Sequence, residues 1–161
     1  MVPELKEIMA VENQYAFPLG KPILGTAYNM LKARWQAEHR DLETGLRLMF
    51  LAWYSCAEPP FLTGLPTQEN TGQVFREVFA HFGGVASTEP ELLHAAGLMC
   101  DLFPWCCGST DEWSAIGVEC KKAARRLNPQ GYPPAHFEGR GTYGDYFAHM
   151  ARVGSWPQKP K

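Results

Sequence analysis

Three polar residues interrupt the most apolar stretch of the sequence, and their spacing could build a binding site. Arg47, Ser55 and Glu58 fall along one line of a helix, because steps of three or four residues return to the same face. Arg47 could bind an anion or a partner's carboxylate, and Glu43, one turn earlier, could pair with it. The spacing therefore predicts a cleft lined by Arg47, Ser55 and Glu58. The alternative is that Arg47 and Glu58 lie near exposed helix ends and are solvated there.

A glycine-rich segment near the C-terminus could bind an anion. Gly139-Arg140-Gly141-Thr142-Tyr143-Gly144 has the letters of the G-x-G-x-x-G nucleotide motif, but that motif requires a preceding strand within a βαβ unit. The stretch 132–138 contains two prolines and does not resemble a central strand. The remaining interpretation is that these glycines precede a helix N-terminus beside Arg140. Together they could hold an anion. The alternative is a flexible loop that leads into a capped helix.

His136 begins a second incomplete motif. His136-Phe137-Glu138 matches the H-x-E half of a zinc deaminase site, whose P-C-x-x-C half should follow downstream. The cysteines of Pro104-Trp105-Cys106-Cys107 lie upstream in another order, and no other spacing fits zinc. The sequence therefore predicts no metal and no cofactor, and His136 is kept as a candidate binding residue. Asp145 and His149, four residues apart, could form an acid–base pair or a solvated surface pair.

The five cysteines do not indicate a disulfide framework. Their number is odd, and Cys106 and Cys107 are adjacent. We therefore predict reduced thiols, mostly buried as small apolar groups, in a cytoplasmic protein.

The elements that would position these residues are helices. A central helix is predicted from Leu42 to Ala57, because apolar side chains fall on every side of it, as in the middle of a bundle. A membrane span needs about 20 apolar residues, and this run is shorter and contains Arg47. Asp41 is the predicted N-cap, and Pro59-Pro60 ends the helix.

Helical periodicity predicts further helices on both sides of the central one. They cover approximately 3–12, 26–39, 71–82, 88–103, 110–127 and 142–153. Asn70 or Thr71 is a predicted N-cap, and capping boxes are predicted at Thr88–Glu91, Ser109–Glu112 and Thr142–Asp145. The stretches 61–67 and 130–141 are predicted loops. Four tryptophans fall on predicted buried faces: Trp35, Trp53, Trp105 and Trp113. Trp156 falls in the tail, where with Tyr143 and Tyr146 it could form a contact surface.

These observations predict an all-α single-domain bundle of five to seven helices, arranged as antiparallel hairpins with essentially no β-sheet. The chain has 161 residues, so we assign 1–153 to one helical domain and 154–161 to a flexible tail. A net charge of −2 gives no clustered positive charge for nucleic acid. The first thirty residues lack the features of a secretory signal, which are a basic start, an apolar run and a cleavage site of small residues.

For function, the sequence favours a non-enzymatic cytoplasmic protein–protein interaction module, of the kind found among bacterial adaptor and toxin-neutralising proteins, with another protein as its partner. The alternative is a small-molecule-binding protein or enzyme with an inter-helix pocket lined by Arg47, Ser55 and Glu58, joined by His136 or Arg140. A homodimer is a further possibility if the apolar face of the helix at 74–82 exceeds what one core covers. No membrane partner is expected.

Overall fold

The computed structural model describes residues 1–66 and 70–154. These residues form nine α-helices, two 3-10 turns and no β-strand. The helices are α1 (Leu5–Asn13), α2 (Leu24–Gln36), α3 (Leu42–Ala57), α4 (Pro60–Thr63), α5 (Thr71–His81), α6 (Pro90–Leu102), α7 (Thr110–Leu127), α8 (Pro134–Phe137) and α9 (Gly141–Arg152). The 3-10 turns cover Gly84–Ala86 and Pro104–Cys106.

The all-α bundle is therefore confirmed, and seven of these helices have nine or more residues. The four-residue helices α4 and α8 lie where loops are predicted. Each has a proline, Pro60 or Pro134, as its first residue, and the proline ring presets the first helical φ angle. The predicted tail, including Trp156, lies outside the described residues apart from Gly154.

Helix α3 is the centre of the bundle, as its composition predicts. All residues from Thr44 to Ser55 are buried, and α3 packs against α2, α5, α6 and α9. The Asp41 carboxylate caps the helix by accepting a hydrogen bond from the Thr44 backbone N–H at 3.0 Å. The helix ends at Ala57, before the two prolines.

Helices α6 and α7 form the predicted αα-hairpin. Their close approach depends on Gly117, where an added Cβ would lie 2.8 Å from the Cys100 Cβ. The face of α5 that could have supported a homodimer is covered within the chain, since Phe75 and Val78 are fully buried and Phe79 packs against Trp113. That face therefore gives no support to a homodimer.

The predicted helix caps agree with the structure at α5 and differ from it at α6, α7 and α9. Asn70 caps α5 as predicted, by accepting from the Gln73 N–H at 3.1 Å. The three capping boxes are wrong, because none of them forms a side-chain cap at the start of α6, α7 or α9. In the first of these, Glu91 is turned inwards and is held by residues from the C-terminal part of the chain.

Of the four tryptophans predicted to be buried, Trp105 is the one that the structure places at the surface. Trp35, Trp53 and Trp113 are buried as predicted, but Trp105 is 57% exposed. Pro104 stops the helical hydrogen bonding after Leu102, so the periodicity that placed Trp105 inside no longer applies.

Candidate functional site

Arg47 is buried and paired within the fold. Its side chain is only 3% exposed, and its Nη2 atom contacts the Glu12 carboxylate of α1, which is equally buried. The other Glu12 oxygen accepts a hydrogen bond at 3.2 Å from the backbone N–H of Thr142 in the first turn of α9. The predicted pairing of Arg47 with Glu43 is wrong, because the buried Arg47 pairs with Glu12 of α1 and Glu43 pairs with Arg140. The alternative that Arg47 is solvated is wrong for the same reason.

Glu91 brings together the three predicted binding residues of the C-terminal segment. Its carboxylate lies 2.6 Å from His136 Nε2, 2.6 Å from the Tyr143 hydroxyl and 2.7 Å from Arg140 Nη2. Burial by itself would raise the pKa of Glu91, but hydrogen bonds from Arg140, Tyr143 and His136 lower it below its ordinary value. We call Glu91, His136, Arg140 and Tyr143 the Glu91 network.

Each nitrogen of the Arg140 guanidinium group has an acceptor within the protein itself. Its Nη2 atom lies 2.6 Å from Glu43, its Nε atom 3.2 Å from the same carboxylate, and its Nη1 atom donates to the His136 carbonyl. The start of α9 likewise binds an anion, and that anion is the Glu12 carboxylate. An external anion at the glycine-rich loop would have to displace Glu12, Glu43 or Glu91.

The chemistry available to the Glu91 network centres on His136. A carboxylate that orients a histidine is the arrangement of a general base, and the His136 side chain is 36% exposed. Burial and the neighbouring Glu91 raise the pKa of Tyr143 well above its ordinary value, so the tyrosine stays a neutral donor. Sequence reasoning missed the role of Glu91. It assigned this residue to the capping box Thr88–Glu91 because of its position three residues after Thr88.

Ser55 and Glu58 lie at the opposite end of α3 from Arg47. Eleven residues of helical rise separate Arg47 from Glu58 by about 16 Å, so the three residues do not line one cleft. Ser55 is buried and its hydroxyl donates to the Ala52 carbonyl at 2.8 Å, while it lies 2.9 Å from the Thr71 hydroxyl. Ser55, Thr71 and Glu58 line a cleft of about 450 Å³. Glu58 is the one charged residue among the described residues that line it.

A disulfide closes the edge of this cleft. Cys56, which is exposed, is bonded to the buried Cys106 across 50 residues of sequence. The prediction that all five thiols are reduced is therefore wrong for this pair, whereas Cys100, Cys107 and Cys120 are free and buried as predicted. Burial raises the pKa of Cys120 to about 12, so its thiol stays protonated and unreactive. A pairing this distant in sequence depends on how α3 and the turn after α6 meet in space.

Two large exposed aromatic residues are connected through the covalent structure to residues that line the same cleft. Trp105 precedes Cys106, so the disulfide holds it next to Cys56, and Phe61 follows Pro60 of the cleft wall. Phe61 is 77% exposed, and Trp105 contacts the Phe103 ring at 5.3 Å.

Asp145 and His149 do not form the acid–base pair that their spacing allows. No hydrogen bond joins them in the described part of the chain, and both line a second cleft of about 320 Å³. Within residues 1–66 and 70–154, no three side chains among His, Cys, Asp and Glu converge on a metal position. No helix in those ranges has the length and apolarity required to cross a membrane.

Comparison of the chain with protein-family models, with curated proteins and with solved structures finds no match.

Proposed function

We propose that this chain is a non-enzymatic protein-interaction module, and that its partner binds the surface at the end of α3. This α3-end surface consists of Glu58, Pro59, Pro60, Phe61 and Trp105 around the cleft closed by the disulfide. The observation that carries the proposal is the exposure of Phe61 and Trp105, which are linked through Pro60 and through the Cys56–Cys106 bond to residues of a cleft that contains a carboxylate.

Exposed aromatic side chains of this size favour a contact surface. Tryptophan and other large aromatics are enriched among the residues that dominate binding energy at protein interfaces. Trp105 is also held in place, because the neighbouring Cys106 is covalently bonded to α3 and the Phe103 ring packs against it. A side chain that is already ordered loses little entropy on binding, so it contributes more to affinity.

The charge of the surface indicates the chemistry of the partner. The Glu58 carboxylate has no hydrogen bond or ion pair with any residue that the structure describes, although it faces the cleft. A lysine or arginine of the partner would complement it, next to an apolar side chain between Trp105 and the two prolines. The partner would therefore present a basic group flanked by an apolar one.

The small-molecule or enzyme alternative has different support. Arg47 is absent from the cleft that contains Ser55 and Glu58, which weakens the pocket first predicted. What favours the alternative is the half-exposed His136 on the Glu91 carboxylate. His136→Gln separates the two functions, because it would abolish a base-catalysed reaction and leave binding at the α3-end surface unchanged.

The proposed location follows from the disulfide. A cytoplasmic protein would keep exposed thiols reduced, whereas the Cys56–Cys106 bond favours an oxidising compartment. Trapping free thiols in intact cells tests this, since a cytoplasmic chain would react at Cys56 and an exported chain would not.

Site-specific photocrosslinking tests the interaction. A photoreactive amino acid placed at position 61 or 105 is expected to crosslink one and the same protein in host cells. The same probe at Val118, an exposed apolar residue of α7, is the matched control and should not crosslink it. Glu58→Gln should weaken that crosslink. Equal labelling from all three positions, or none from positions 61 and 105, would contradict the proposal.

A further inference from the structure

The second cleft is built by three separate parts of the chain. Asn13 lies at the end of α1, Phe17 follows in the next loop, and Asp145 and His149 lie on α9. The volume of about 320 Å³ is at the lower end of the range found for small-molecule sites. This cleft shares no lining residue with the cleft at the end of α3.

Three polar side chains that line the cleft have no hydrogen-bond partner in the described part of the chain. The side chains of Asn13, Asp145 and His149 make no hydrogen bond to any residue in the described ranges. Arg152, by contrast, is paired with Glu138 at 2.9 Å, so the cleft's remaining charge is that of Asp145. The apolar part of the lining is limited to Ala16, Phe17 and Ala148, so the cleft is mainly polar and suits a small polar ligand better than an apolar one.

The local backbone and the electrostatics agree with this. Ala16, which lines the cleft, has φ of 50°, a left-handed conformation that is uncommon for a residue with a Cβ and is found more often at functional positions. Partial removal from water raises the pKa of Asp145, and Arg152 lowers it by less. A carboxylate in that position is stabilised by an added cation.

We propose that this cleft binds a small organic cation with a primary ammonium group, held by Asp145 and Asn13 against the Phe17 and His149 rings. The two ring centroids lie 6.1 Å apart, and Phe17 offers an aromatic face that attracts an ammonium ion. Asn13 supplies an amide oxygen as a second acceptor. The cleft's net negative charge excludes anions of the same size.

Nuclear magnetic resonance on the isotope-labelled full chain tests this with n-butylammonium as the probe. We expect saturable shifts of the amide signals of Gly139, Asp145 and His149, and no such shifts with butyrate. Shifts that do not saturate, or equal shifts with butyrate, would overturn the proposal as a non-specific salt effect.

Substitutions at the cleft complete the test. Asp145→Asn, which keeps the shape of the side chain, should weaken n-butylammonium binding by about two- to fivefold. Asn13→Asp adds a second carboxylate and should strengthen it, a gain that a folding defect cannot produce. Glu119→Gln on α7 removes the same charge from an exposed ion pair elsewhere and should change nothing. Unchanged affinity in both cleft variants would refute the assignment.

Discussion

Arg47 forms its ion pair with Glu12, 35 residues earlier in the chain, although Glu43 lies one helical turn away on the same helix. Both partners are almost completely buried, so each needs the other to compensate for the loss of water. Glu43 instead binds Arg140 from the far end of the sequence.

Glu12→Gln is expected to destabilise the fold by about 3–5 kcal/mol, because Arg47 would remain charged and buried without its carboxylate. Chemical denaturation followed by circular dichroism measures the change. Glu7→Gln, at an exposed position of the same helix, is the control and should cost less than about 0.5 kcal/mol. Glu12→Leu combined with Arg47→Met should recover much of the loss, since no unpaired charge would remain. Equal stability of Glu12→Gln and Glu7→Gln would contradict the role assigned to the ion pair of Glu12 and Arg47.

Glu91→Gln should change how stability depends on acid. The pKa of Glu91 is lowered in the folded chain, so its contribution is complete above the ordinary value of 4.5 and is lost as pH falls through the folded value. The difference in unfolding free energy between the wild type and Glu91→Gln should therefore be largest above pH 4.5 and shrink below it. A difference in unfolding free energy that is constant from pH 7 to pH 3 would show that the charge of Glu91 does not contribute to stability.

His94 should give a second pH dependence in a higher range. Burial lowers the pKa of His94 to about 3, with a smaller opposing effect from Glu91, while the unfolded chain titrates near its ordinary value of 6.5. The unfolded state therefore binds this proton first, and stability should fall as pH decreases from 6.5 towards 3. His94→Phe, in a site lined by the rings of Tyr132, Phe137 and Phe147, should flatten this slope. Unfolding curves at pH 7 and pH 5 would show it, and an unchanged slope would contradict the assignment.

Reduction of the Cys56–Cys106 disulfide should lower stability by about 4 kcal/mol, the value that loop entropy predicts for 50 residues. Denaturation with and without dithiothreitol measures this loss. Cys56→Ser should show the same loss and no further response to the reductant. Thiol titration of the denatured, unreduced chain should find the three free thiols of Cys100, Cys107 and Cys120, and all five after reduction. Five thiols before reduction would exclude the bond.

Phe79→Ala should cost about 3–5 kcal/mol, because this buried ring packs against Phe75 and Trp113. Phe61→Ala provides a control with the same chemical change at a side chain that is exposed, and should be nearly neutral. Comparable losses for the two variants would mean that the core does not include Phe79. The measurement is again the unfolding free energy in denaturant.

The helices could be predicted from sequence because their signals are local. A continuous apolar run located α3, apolar periodicity located α5, and the short side chains of Asp41 and Asn70 marked where they start. The same reasoning failed at Thr88–Glu91, whose letters satisfy a capping box. Three donors from residues 136–143 compete for that glutamate, and no local pattern reveals them.

The candidate sites were harder to predict because they depend on distant contacts. Sequence reasoning selected His136, Arg140 and Tyr143 without the Glu91 that joins them. It grouped Arg47 with Glu58 on one helical line, but the rise of α3 places them at opposite ends of the helix, where Arg47 is paired with Glu12 and Glu58 lines a separate cleft. Trp105 and the Cys56–Cys106 bond were missed for a related reason, since a proline ended the helical register just before them.

The two oxygens of Glu12 join parts of the protein that a ribosome produces far apart in time. Arg47 is synthesised soon after Glu12, whereas the backbone N–H of Thr142 appears 130 residues later. The first helix therefore reaches its final set of contacts only after Thr142 has been synthesised, so α1 stays incompletely bound while the following 130 residues are made.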